Sequence, residues 1–142
     1  MSINRFLLSI ALFPWCISIA FAEDYVVPSG VTVLTEEQLF KQIIGNTMIG
    51  GDRWAEYFEP ATNNPGEGRI KGVESGSPYG GTWTINKSLL CWHYDKAFMK
   101  PLNDCYTIAL DGDILTWYKA DGSIHYPNPS RPKLAPGTPR NL

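Results

Sequence analysis

The chain has 142 residues, with 12 Lys and Arg against 14 Asp and Glu, and a formal net charge of −2. That length suits one domain with a modest core. The acidic balance lacks the basic surface that general nucleic-acid binding requires, so no nucleic-acid partner is expected.

In chain order, the first feature is an export signal. Arg5 supplies a positive start, and an apolar run from Phe6 to Phe21 is broken by Ser9, Pro14 and Ser18. Ala20 and Ala22 then give the small residues of an A-x-A cleavage site. The pattern predicts a signal peptide over residues 1–22 and a mature chain of 120 residues from Glu23. The run is short for a membrane span and Pro14 interrupts it, so no transmembrane anchor is expected. Phe13-Pro14-Trp15 stand where a lipidation signal would place small residues before Cys16. The expected location is the periplasm or the exterior.

Residues 23–127 read as a single β-rich domain. After an extended lead-in comes one helix, expected over residues 35–45. Thr35 is a natural N-cap, and Gln38 completes a capping box. Leu34 and Leu39 form a hydrophobic staple, and Gly45 is a natural C-cap. Leu39, Phe40, Ile43 and Ile44 give the helix one apolar face.

From Thr47 the period changes to that of strands separated by Gly, Asn, Asp and Pro. The predicted strands are Thr47–Ile49, Trp54–Phe58, Gly68–Glu74, Gly81–Ile85, Leu89–Tyr94, Cys105–Leu110, Ile114–Tyr118 and Ser123–Tyr126. Asn86-Lys87, Asp111-Gly112 and Asp121-Gly122 are hairpin signals, and connections this short demand antiparallel neighbours. The fold class is therefore mainly β: an antiparallel meander, curled or partly closed as a barrel, with one N-terminal helix packed on it. Leu39, Ile43, Trp83, Ile85, Trp92, Tyr106, Ile108 and Leu110 are the expected core. Residues 128–142 hold Pro129, Pro132, Pro136 and Pro139 and no acid. They read as a disordered tail, so Pro129–Leu142 are expected to be removable with little loss of stability.

With Cys16 in the signal, the mature chain keeps Cys91 and Cys105. In an oxidising compartment such a pair forms a disulfide. A loop of this size contributes about 3 kcal/mol in the chain-entropy model. Their spacing is not the C-x-x-C of a redox pair. The alternation of side chains places Cys91 and His93 on one face and Trp92 and Tyr94 on the other, which is the expected core face.

No catalytic constellation is complete. Gly72-Val73-Glu74-Ser75-Gly76 is not a nucleophile elbow, and Gly66-Glu67-Gly68 lacks the rest of a dinucleotide loop. His93, Asp95 and Met99 lack the regular spacing of a metal site, so neither metal nor cofactor is expected. Glu56 with Glu59 and Asp111 with Asp113 are the carboxylate pairs, the second belonging to a turn. Asn86-Lys87-Ser88 is a glycosylation sequon, relevant only in a eukaryotic secretory pathway. Surplus aromatic residues are the more suggestive feature. Trp54, Tyr57, Trp117 and Tyr118 are the candidate ligand-binding residues, since exposed rings line grooves and partner patches.

From Leu34 to Pro127 the chain resembles a group of small exported proteobacterial proteins catalogued as a domain of unknown function. The resemblance rests on Gly45-Asn46-Thr47, Trp54-Ala55-Glu56-Tyr57-Phe58, Gly81-Thr82-Trp83, Leu90-Cys91-Trp92, Cys105-Tyr106 and Asp121-Gly122. It implies a bacterial, exported protein and brings no catalytic residues. The functional expectation is an exported binding or accessory protein without catalytic activity. Its partner would be a small molecule, a glycan or an envelope protein. The alternatives are an envelope-modifying hydrolase using carboxylates such as Glu56, and an inhibitor or subunit of a periplasmic complex.

Overall fold

The capping box at Thr35 forms as expected: Gln38 N–H donates to Thr35 Oγ1 at 3.3 Å, and Thr35 N–H donates to Gln38 Oε1 at 2.9 Å. The structure, a computed structural model, describes residues 25–95, 103–138 and 142. The expected signal peptide, Met99 and residues 139–141 lie outside the described residues. Helix α1 covers Glu36–Gln42, shorter than the expected 35–45. It ends early because Gly45, at φ 84°, turns the chain away, and Asn46 Nδ2 caps the carbonyl of Gln42 at 2.8 Å.

Eight strands follow: β1 (Asn46–Gly50), β2 (Trp54–Phe58), β3 (Glu67–Glu74), β4 (Ser77–Asn86), β5 (Leu89–Tyr94), β6 (Asn103–Asp111), β7 (Ile114–Tyr118) and β8 (Lys133–Pro136). Each pairs antiparallel with the next, and β8 returns to β1, so the meander closes completely as an up-and-down barrel. Closure goes beyond the partly closed sheet expected, and it comes from the segment read as a disordered tail. Asn46 pairs with Pro136 and Ile49 with Lys133, while Leu134 N–H donates to the carbonyl of Asp113 at 2.7 Å. Prolines tolerate this role because they bracket the strand: Pro132 precedes it and Pro136 ends it. Thr47 Oγ1 and Asn46 Oδ1 then hold Gly137 through its carbonyl and its N–H. The expected strand Ser123–Tyr126 is reduced to a single bridge between Tyr118 and Ile124. There Asp121 Oδ1 accepts Ser123 N–H at 2.8 Å, which turns the chain instead of extending it.

The β5–β6 register is the one the alternation predicts. Cys91 lies directly opposite Cys105, with Cα atoms 4.0 Å apart, and the two are bonded on the outer face. Trp92 and Tyr106 point inward and are buried.

The barrel interior has two unlike halves. At the end where β2 finishes and β3 starts, Met48, Phe58, Ile70, Trp83, Leu90, Ile108 and Leu115 form an apolar core. Helix α1 plugs this end: Leu39 and Ile43 are fully buried, and Phe40 meets Trp83 edge-on at 6.1 Å. The opposite end, where β2 begins, is polar and aromatic.

Candidate functional site

Side-chain alternation along β2 sends Trp54, Glu56 and Phe58 into the barrel. Glu56 is therefore a carboxylate on a core face, only 3% exposed. Three donors from two other strands hold it. Its Oε1 accepts the hydroxyls of Tyr79 at 2.7 Å and Tyr94 at 2.5 Å, and its Oε2 accepts Trp92 Nε1–H at 2.8 Å. The described ion pairs do not include it. Burial pushes the Glu56 carboxyl above the usual range; the three hydrogen bonds oppose this, and the nearby Glu74 charge adds to it. Burial and the adjacent carboxylate push both tyrosine hydroxyls upward as well, so they remain donors.

The tyrosine that reaches Glu56 from β4 lies over a glycine. Gly72 is paired with Tyr79 across β3 and β4, and a Cβ at Gly72 would stand 2.2 Å from the Tyr79 ring. Gly50 accommodates Trp54 in the same way, at 2.0 Å. These glycines let large rings lie across the neighbouring strand inside a narrow barrel.

Around the carboxylate the rings form one connected cluster. Trp54 contacts Trp117 at 5.8 Å and Tyr126 at 5.9 Å, and Trp117 contacts Trp92 at 4.8 Å. His125 stacks parallel to Trp117 and meets Tyr106 at 4.8 Å. Tyr106 donates to Asp104 Oδ2. Burial lowers the His125 pKa and Lys119 adds to the effect, while the Asp104 charge opposes it. The Trp117 Nε1 and His125 Nδ1 atoms are buried with no hydrogen-bond partner.

A cavity of about 540 Å³ opens at this end, lined by Arg53, Trp54, Glu74, Tyr126, Arg131 and Lys133 among others. Its rim is built from turns. Ser75 N–H donates to the carbonyl of Arg53 at 2.7 Å, which ties the β1–β2 turn to the β3–β4 turn. The β7–β8 connection brings Tyr126 and Arg131 across from them. Lys133 lies 3.9 Å from Asp113, whereas Arg53 and Arg131 form none of the described ion pairs. The Nε of Arg131 is buried without an acceptor.

Of the four ligand-binding candidates read from sequence, Trp54 and Trp117 come together here, Trp54 in the cavity lining and Trp117 behind it. Tyr57 and Tyr118 alternate to the outer face, and Tyr118 is covered there, 8% exposed. The carboxylate pairs do not act as pairs. Glu59 bonds Lys71 at 2.5 Å, away from Glu56, and Asp111 and Asp113 flank the β6–β7 turn. Of His93, Asp95 and Met99, the two described residues have other partners: His93 contacts Asn103, and Asp95 pairs with Arg69 at 2.7 Å. Among the described residues no three His, Cys, Asp or Glu side chains are grouped to hold a metal.

Sequence reasoning missed Tyr79, Tyr94, His125, Tyr126, Arg53 and Arg131. The available signal is parity: an acid between Trp54 and Phe58 on the core face of a strand needs donors, and the alternation along Leu89–Tyr94 puts Trp92 and Tyr94 on the inner face. No known protein family matches the chain, and neither a curated protein nor a solved structure matches it.

Proposed function

We propose that this chain is an exported binding protein that takes one small molecule at the open mouth of its barrel, without catalysing a reaction. The observation that carries the reading is the aromatic-walled cavity at the barrel mouth. An eight-stranded barrel is wide enough either to fill with side chains or to hold one small ligand. Here both halves of the interior are packed, the helix-plugged one with apolar side chains and the other with Glu56 and its rings, and a cavity of about 540 Å³ opens above the ring-filled half, at the barrel mouth, walled by Trp54 and Tyr126. That volume is in the range of small-molecule sites. The unpartnered Trp117 Nε1 and His125 Nδ1 lie at the same end, where a ligand or ordered water satisfies such atoms. Export rests on the signal pattern of residues 1–22, and the Cys91–Cys105 disulfide supports it. The kinship with small exported proteobacterial proteins belongs to the same proposal.

Two features favour binding over hydrolysis. Glu56 spends both oxygens on three donors and is not part of the cavity lining, and the two acids that do line it, Glu74 and the exposed Asp52 of the β1–β2 turn, stand beside Arg53, Arg131 and Lys133 with no buried acid of the kind glycosidases use as proton donor. A small molecule is favoured over a protein partner because Val26 and Val27 are the exposed large apolar side chains among the described residues, too small a patch for docking.

The test is protein NMR with a panel of small ring compounds, charged and neutral. At least one compound should shift the indole signal of Trp54 and the ring signals of Tyr126 in a saturable manner. A panel that leaves both residues untouched, while the protein is folded, would falsify the reading.

A further inference from the structure

Resting on that reading, we infer that the cavity selects a planar organic anion, an aromatic ring carrying a carboxylate. Two guanidinium groups, Arg53 and Arg131, line the cavity, and the described ion pairs leave both without a carboxylate. The Nε–H of Arg131 is buried with no acceptor, so the site presents a donor that a ligand oxygen can satisfy. The planar guanidinium fork matches a carboxylate in two parallel hydrogen bonds. Trp54 and Tyr126 share the lining with them, their ring centroids 5.9 Å apart and their planes tilted by 36°. An aromatic face packs against such rings in offset or edge-on fashion.

The cavity is not simply positive. Asp52 and Glu74 share its lining with Arg53, Arg131 and Lys133, so the summed charge is only +1. Long-range attraction is therefore weak, and selectivity must come from directed hydrogen bonds to the arginines. Glu74 works against the anion, and this gives the inference a consequence of its own: Glu74→Gln should tighten anion binding.

Three probes with the same ring separate ligand class from ligand binding: 2-naphthoate, 2-naphthalenemethanol and 2-naphthylmethylammonium, titrated into the oxidised protein at pH 7 by calorimetry. The expected result is that 2-naphthoate binds about tenfold tighter than the neutral alcohol, and tighter still than the cation. In the Arg53→Gln/Arg131→Gln double variant, with its fold checked by circular dichroism, that ratio should collapse toward one. If the alcohol or the cation binds as well as the carboxylate, the anion preference is overturned while the binding site stands. An unchanged ratio in the double variant removes the role given to the two arginines. If none of the three binds, the anion inference fails, and the NMR panel decides whether the binding reading fails with it.

Discussion

Glu56 is a buried acid with three donors and no described counter-ion. Its carboxyl pKa is raised from 4.5 in the fold, chiefly by burial. Between 4.5 and that raised value the folded chain holds a proton that the unfolded chain has released, so stability falls as pH rises through this window. His125 acts in the opposite sense. Its pKa is lowered from 6.5, so the unfolded chain takes up its proton first, and stability falls as pH drops below that value. Melting curves across pH for the parent and for Glu56→Gln should separate the two. The variant should lose the decline on the rising-pH side and keep the decline on the acid side. An identical pH profile in both proteins would show that Glu56 does not titrate within the fold. Glu56→Ala should be far worse, since it orphans Tyr79, Tyr94 and Trp92; a loss of about 3 kcal/mol or more is expected by chemical denaturation. Gly72→Ala should strike the same network from behind by forcing the Tyr79 ring off its strand, with a loss of about 1–3 kcal/mol.

At the scale of elements, the parts governed by local chemistry were legible in the residues. Thr35 and Gln38 announced the helix start, and the strands from β1 to β7 follow the period-2 pattern and the turn residues. The cross-strand placement of Cys91 and Cys105 followed from parity, and they are bonded. Replacing both with Ser should lower stability by about 2–5 kcal/mol in the oxidised form. What sequence could not supply was β8. The three residues between Pro132 and Pro136 have little strand propensity of their own, and Leu134 is their one large apolar side chain. Their stability comes from the open edges of β1 and β7, which no local pattern in 133–136 reveals. The expectation that the proline-rich end is dispensable is therefore reversed. Removing residues 133–142 should lower the melting temperature by roughly 10 °C or more, or abolish folding, because two edges and the Leu134 site would be exposed together. An unchanged melting curve would mean that β8 does not close the barrel.

For the whole molecule, the division of the barrel separates stability from binding. The site was only half legible for the same reason: Trp54 and Trp117 were conspicuous as residues, but the cavity exists because the β7–β8 connection carries Tyr126 and Arg131 over the barrel mouth, a contact between distant segments. Substitutions should sort by end. Leu39 is fully buried in the apolar half, under the helix plug, so Leu39→Ala should cost about 2–5 kcal/mol. It is not part of the cavity lining, so naphthoate affinity, measured well below the melting temperature, should stay within about twofold of the parent. Trp54→Phe should do the reverse. Trp54 is half-buried and lines the mouth against Tyr126, so the shorter ring gives up ligand contact while Gly50 beneath it stays covered. A stability loss near 1 kcal/mol and a clear fall in naphthoate affinity are expected. Calorimetry and thermal melting on the two variants check both halves of the prediction. If Leu39→Ala weakened binding as much as Trp54→Phe, with the protein fully folded, the two ends would be coupled and the barrel would not be the divided scaffold that its packing describes.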